Sequence, residues 1–238
     1  MNEATYKKSF DLFLKKTDEK SVLMTFIRDH VSLNKEMHFL DIGGGDGSLA
    51  AWISKEVGTT LVVEPNPHFC EKLDQKGFKI VNKKWEDVDL DQRFDFILAA
   101  YVVTYFPPDQ RHALVTKMYD RLAPGGKLLL LSVDAQEGSW REIHTFFYEL
   151  MGQAHVSSDN ALQKIAREFH ALMKTFQTHI IAASISEMLN ILEFDFHKYA
   201  KAFSQYTPNL KTFLLPCTNS DGSITLEMIH RAYLITKH

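Results

Sequence analysis

The sequence predicts an α/β protein: a largely parallel sheet of seven strands with helices on both faces. Three observations carry that expectation. Short apolar runs alternate with amphipathic stretches of helical period from residue 38 to 134. A glycine-rich turn, Asp41-Ile42-Gly43-Gly44-Gly45-Asp46-Gly47, follows the first of those runs directly. The second run, Thr60-Leu61-Val62-Val63, ends in an acidic residue, Glu64.

Taken in order, residues 5–33 carry a helical apolar period through Tyr6, Phe10, Phe13, Leu14, Val22, Leu23, Phe26 and Ile27. Thr17-Asp18 reads as a break and a new N-cap between two helices. This segment, 1–35, is expected to be an N-terminal helical cap. Strands are expected at 38–42, 60–64, 78–82, 94–100 and 127–133, and helices at 47–57, 67–76 and 108–122. Leu122-Ala123-Pro124-Gly125-Gly126 reads as a helix stop and a turn. After 134 the pattern changes. Residues 140–152 and 158–177 look helical and rich in aromatic and His residues, so 141–178 is expected to be a helical insertion, a lid after the fifth strand. Ser184-Ile185-Ser186-Glu187 fits a capping box. Two last strands are expected near 194–204 and at 229–236. The whole, 1–238, reads as a single domain.

Composition narrows the function classes. With 45% hydrophobic residues the core is well supplied, and no apolar run approaches the 18 or so residues of a membrane span. The first residues lack the apolar stretch of a secretory signal. A net charge of −3 gives no global basic field, so neither nucleic acid nor a membrane is expected as a partner. Cys70 and Cys217 stand far apart in no metal spacing, and the His residues form no tight cluster, so no metal is expected. Both thiols read as reduced and the protein as cytoplasmic. Oligomeric state is not legible.

The glycine loop selects a nucleoside cofactor. Glycines let a ligand approach the backbone and its free N–H groups, and a carboxylate at the end of the next strand can accept both ribose hydroxyls. A dinucleotide loop wants G-x-G-x-x-G, but from Gly43 the third glycine falls on Ser48. The spacing Gly43, Gly45, Gly47 after Asp41 resembles the first motif of S-adenosylmethionine (SAM) methyltransferases, and Asp46 would repel a pyrophosphate but suit an ammonium group. Further motifs agree: Glu64-Pro65, Trp85-Glu86 after the third strand as an adenine wall and carboxylate, the small residues ending Phe94–Ala100, and the Leu122–Gly126 turn. The resemblance implies a Rossmann-like methyltransferase sheet, with SAM held by Asp41, Gly43, Gly44, Gly45, Glu64, Pro65, Trp85, Glu86 and Ala100.

A closer resemblance sits in the opening. Tyr6 to Leu14 and Thr17-Asp18-Glu19 to Ile27, then Ile42–Gly45, Val63–Pro65, Phe94–Ile97 and Gly138-Ser139-Trp140, resemble histamine N-methyltransferase. That family's amine-pocket Tyr, Phe and Glu fall on Tyr6, Phe10 and Glu19. Its pocket glutamine after the fourth strand aligns with Tyr101. Its asparagine near the last strand has no counterpart, the local residues being Met228, Ile229 and His230, and the 141–178 insertion is unlike the family. The resemblance implies an amine or imidazole acceptor bounded by Tyr6, Phe10, Glu19, Tyr101, Tyr105 and Trp140, with Glu19 and Tyr101 as positioning residues. The catalytic residue is unknown: no dedicated general base stands out, although His144 and His230 are candidates. A small-molecule O-methyltransferase, a non-catalytic SAM-binding module and an NAD-linked oxidoreductase are the competing readings.

Overall fold

The computed structural model describes residues 3–134 and 136–238, with side chains from Lys7 onward. Its sheet has the strand order β3-β2-β1-β4-β5-β7-β6. The strands are β1 (His38–Ile42), β2 (Thr59–Val63), β3 (Lys79–Val81), β4 (Phe94–Ala100), β5 (Leu122–Val133), β6 (Leu172–Ala182) and β7 (Ile224–Thr236). The helices are α1 (Glu3–Lys16), α2 (Glu19–His30), α3 (Ser48–Ile53), α4 (Pro67–Gln75), α5 (Arg111–Asp120), α6 (Ser139–Leu150), α7 (Asp159–Glu168), α8 (Ile185–Asp195) and α9 (Ala200–Leu214). Strands β1 to β5 pair in parallel, and β7 runs antiparallel to β5.

The chain falls into two compact units. The larger holds residues 20–133, 157–176 and 230–238. Its central strands β1, β2, β4 and β5 are largely apolar and buried because both sheet faces are covered there. The pleat sends Leu40, Ile42, Ile97, Ala99, Leu128 and Leu130 into one core with α5 and α7. Phe39, Phe96, Leu98, Leu129 and Leu131 go into the other, with α2 and α3. Phe39 lies opposite Phe96 in the register, and their rings stack at 5.2 Å. The Ala123–Gly126 segment, expected as a turn, lies inside β5 as an irregularity: the register with β4 jumps from Phe94/Leu122 to Phe96/Lys127.

One buried polar knot fastens α7 to this sheet. Asp159 opens α7 and is wholly buried, and Ser132 of β5 and Tyr233 of β7 both donate to its Oδ1. Arg231 Nε stands 3.6 Å from its other oxygen. Removing one donor to a buried carboxylate leaves an unsatisfied charge. Tyr233→Phe is therefore expected to destabilise the protein by about 1–3 kcal/mol. Urea denaturation checks this, and an unchanged midpoint would mean the knot is redundant.

The smaller unit holds residues up to Glu19, 134–156 and 177–229. Here α1 lies against α8: Phe10 and Phe13 meet Phe194 at 5.5 and 4.9 Å, and Lys16 pairs with Glu187 at 2.9 Å. Ser184 caps α8 by accepting from Glu187 N, while Glu187 accepts from Ala183 N, the capping box expected there. Phe147 of α6 packs on Phe196 and on Phe203 of α9. Thr17-Asp18 breaks the chain between α1 and α2, and Asp18 accepts from the backbone N–H of His179.

Two expectations are corrected. No strand runs over 194–204; those residues end α8, form a 3₁₀ turn at His197–Tyr199 and begin α9. Their aromatic residues suggest a strand, but Phe196 closes α8 and Phe203 lies in α9, and the two rings pack together at 5.7 Å. The second helix of the 141–178 segment stops at Glu168, and 172–178 belongs to β6. His170 adopts φ +52°, a left-handed conformation that ends the helix, and the β-branched Thr175, Thr178, Ile180 and Ile181 that follow favour a strand.

Candidate active site

In the larger unit, β1 delivers its C-terminal end directly into the glycine loop. Gly43 N donates to Val63 O at 2.7 Å, joining the loop to the end of β2. Gly43 has φ +75°, and a Cβ there would lie 2.6 Å from Val102 Cγ2, so the loop presses on the segment after β4. Gly45 is different. It has φ +52°, and a Cβ on it would meet nothing within 4 Å. The space in front of Gly45 is open, and its N–H meets an acid.

That acid is Glu64, at the end of β2. Only 5% of its surface is exposed, and its two oxygens accept from Gly45 N at 3.0 Å and Asn66 N at 2.8 Å. Burial pushes its carboxyl up, and the two backbone N–H groups pull it back only in part. Asp41, 3% exposed, is more perturbed: burial first, then the charges of Glu64 and Asp46, raise it from 3.8 to about 7. Two buried acids beside an open cradle fit a cationic ligand and oppose a pyrophosphate.

Asp46 is corrected in role. Rather than facing a ligand ammonium as an open charge, it takes Lys20 Nζ at 2.6 Å and the N–H and hydroxyl of Ser48. Burial raises its carboxyl, but Lys20 and Ser48 outweigh that and hold it below the ordinary range. Lys20 was not singled out from the sequence. Nor was Asn82, whose amide donates to Glu64 O and Pro65 O and fixes the turn after β2. Both act across gaps that no local spacing signals.

Other expected cofactor residues lie around this loop. Pro65 is exposed at the end of β2, and Ala100 ends β4 half-buried. Trp85 differs from expectation. It is 3% exposed, its indole N–H donates to Leu114 O, and Lys117 lies over its ring at 5.1 Å. The indole belongs to the core and supports the Trp85–Asp87 turn from within, and Glu86 beside it is half-buried.

Residues 19–180 match a family described as a methyltransferase domain. The chain belongs to this methyltransferase family. No curated protein matches it. The methyltransferase resembles solved structures along nearly its whole length. The YcgJ protein of Bacillus subtilis superposes with TM-score 0.64 at 18% identity, over 92% of this chain and 98% of that one. Phosphoethanolamine N-methyltransferase 2 of Haemonchus contortus gives 0.57 at 14%, over 91% of this chain and 52% of that one. The N-methyltransferase NodS of Bradyrhizobium japonicum, solved with S-adenosylhomocysteine, gives 0.52 at 14%, over 90% and 85%. These likenesses bear out the Rossmann-like methyltransferase sheet. The enzyme is a SAM-dependent methyltransferase, and the acid-lined glycine cradle fits that cationic cofactor.

The residues expected around the methyl acceptor divide between the two units of the methyltransferase. In the smaller unit, half-buried Phe10 packs on Phe194, and Phe13 links that pair to Trp140 at 6.0 Å. Trp140 is 4% exposed and supports the cluster rather than offering an open face. Glu19 begins α2, its N–H held by Thr17 Oγ1 at 3.1 Å. Tyr6 lies in α1, and its side chain is outside the described residues. His144, a candidate base, bonds Trp140 O at 2.7 Å through Nδ1 and Asp195 through Nε2, so both ring nitrogens are engaged structurally. In the larger unit, Tyr105 is 74% exposed on a 3₁₀ turn, and Tyr101 is half-buried with its hydroxyl 2.7 Å from His230 Nδ1.

Proposed function

We propose that this methyltransferase transfers the methyl group of SAM to a small molecule, at an amine or imidazole nitrogen. The observation that carries the reading is the aromatic face of α1. Phe10, half-buried, stands in a cluster with Phe13, Phe194 and Trp140, and half-buried Glu19 opens the next helix in the chain. Aromatic rings and a carboxylate both suit a flat or cationic guest. The resemblance of this opening to histamine N-methyltransferase, and structural neighbours that are N-methyltransferases by name, support the same class.

The cofactor supplies an electrophilic methyl group on a sulfonium, so no covalent enzyme intermediate is needed. The protein's part is to bind, align and exclude water. Glu64 and, above about pH 7, Asp41 would provide negative charge for a cationic donor, and the open space at Gly45 would admit it to the backbone. Phe10 and its neighbours keep water from the acceptor. Glu19 holds a distal N–H of the acceptor by a charge-assisted bond.

Glu19→Gln tests the acceptor class. It is expected to leave SAM affinity within about twofold and to lower kcat/KM for histamine by roughly tenfold or more, the scale of one charge-assisted bond. Weakened SAM binding with the acceptor spared would make α1 and α2 a cofactor lid. Labelled methyl transferred to catechol but to no amine would make the enzyme an O-methyltransferase. SAM binding without transfer to any acceptor would make it a binding module.

A further inference from the structure

The strongest unexplained feature of the larger unit is Tyr101. It has φ +60°, a strained conformation for a bulky side chain. Such strain persists only where surrounding structure imposes it, and it gathers at functional positions. Here three contacts impose it. Tyr101 N donates to Leu131 O, keeping the residue on the sheet end. The next residue, Val102, presses on Gly43, so Tyr101 borders the cofactor loop. The phenol reaches His230 Nδ1 at 2.7 Å. His230 is wholly buried in β7 opposite Val133, with Phe176 stacked on its ring at 4.8 Å. A buried imidazole clamped by a stacked ring has one orientation, and that orientation fixes the phenol.

We propose that Tyr101 and His230 form the proton-accepting pair of the methyl-transfer site, so that the acceptor is a protic nitrogen or oxygen whose proton leaves through the phenol. This rests on the methyltransferase reading above. The acceptor lone pair forms the new bond to carbon, and the electrons of the broken carbon–sulfur bond stay on sulfur. The acceptor's N–H or O–H proton passes to Tyr101 Oη as the phenolic proton passes to His230 Nδ1. The phenol is regenerated neutral, and the positive charge first carried by the sulfonium ends on the imidazole, over the face of Phe176. This requires resting His230 to carry its proton on Nε2, leaving Nδ1 as the acceptor. Tyr101 is then a catalytic residue. His230 positions it and takes its proton.

Two variants separate geometry from proton uptake in the full chain. Tyr101→Phe keeps the ring and loses the relay. His230→Asn keeps a hydrogen-bond acceptor near the Nδ1 position but cannot accept the proton. With histamine, ethanolamine and catechol as probe acceptors, both are expected to lower kcat at least a hundredfold, with KM and calorimetric SAM affinity within about threefold. Variants that retain kcat within threefold overturn the proposal, as does full activity in His230→Asn alone. A second readout needs no turnover. In histidine labelled with ¹⁵N, the signal lost in His230→Asn should report an unprotonated, hydrogen-bonded Nδ1 that shifts in Tyr101→Phe. A protonated Nδ1 at neutral pH overturns the relay whatever the activity. If the wild type binds SAM but methylates none of the three probes, the acceptor class proposed above falls, and the tautomer still decides the pair.

Discussion

Gly45→Val is expected to abolish SAM binding while the protein remains folded. Gly45 is the one residue of the Gly43–Gly45 run whose added side chain would strike no protein atom. A Cβ at Gly43 would run into Val102 and one at Gly44 into Val62 at 2.4 Å, whereas at Gly45 nothing lies within 4 Å. A valine there enters open space that a cofactor on this loop would take. It must also adopt φ +52°, which costs about 1–2 kcal/mol for a residue with a Cβ, a loss a core of this size can absorb. Because Gly45 N is also a donor to Glu64, a shifted loop would misplace the carboxylate beside the cradle. Far-UV circular dichroism should match the wild type, and calorimetry should show affinity reduced more than a hundredfold. A folded variant that binds SAM within about threefold would move the cofactor away from this loop.

Asp41→Asn should act in opposite directions on stability and on binding. Burial, Glu64 and Asp46 raise the Asp41 carboxyl from 3.8 to about 7 in the folded protein. Below about pH 4 it is protonated whether folded or not, and it makes no difference. Between about 4 and 7 the unfolded chain releases the proton and the fold retains it, so stability falls as pH rises. Above about 7 the whole penalty is present, at most about 4 kcal/mol from that difference. Asparagine cannot ionise, so the variant is expected to be more stable than the wild type by about 2–4 kcal/mol at pH 8 and equal to it near pH 4. The same charge favours a cationic cofactor, and SAM affinity of the variant should fall tenfold or more at pH 8. Urea denaturation at the two pH values and calorimetry at pH 8 check both halves. A variant no more stable at pH 8 would show that the Asp41 charge is compensated in the folded protein.

The sheet was legible because its signals are local. The run Phe94-Asp95-Phe96-Ile97-Leu98-Ala99-Ala100 is apolar on both faces of a pleat, and the observed β4 has those same bounds. The glycine loop was legible for the same reason: a strand, a turn that must leave the right-handed region, and an acid at the end of the next strand lie within 27 residues. Where local signals conflicted, reading failed. The helix expected over 158–177 ends as α7 at Glu168, and the left-handed His170 separates it from β6. The aromatic run from Phe194 to Phe203 has strand-like composition but helical packing. Trp85 shows the same limit at the site, since the residue type fits a ligand wall or a core equally well, and burial chose the core.

By itself the sequence determined the α/β class, the first five strands and the glycine loop with Asp41 and Glu64, on which the resemblance to SAM methyltransferases rested. Those follow from periodicity and spacing, which act over a few residues. Only the tertiary structure decided that Lys20 neutralises Asp46, that Asn82 braces the turn after β2, and that the phenol of Tyr101 meets a histidine 129 positions away. It also placed 172–182 in the sheet as β6. Those outcomes depend on which distant segments meet when two sheet faces are buried together. The free energy that selects them is released by packing and by pairing buried polar groups, and neither leaves a local mark on the chain.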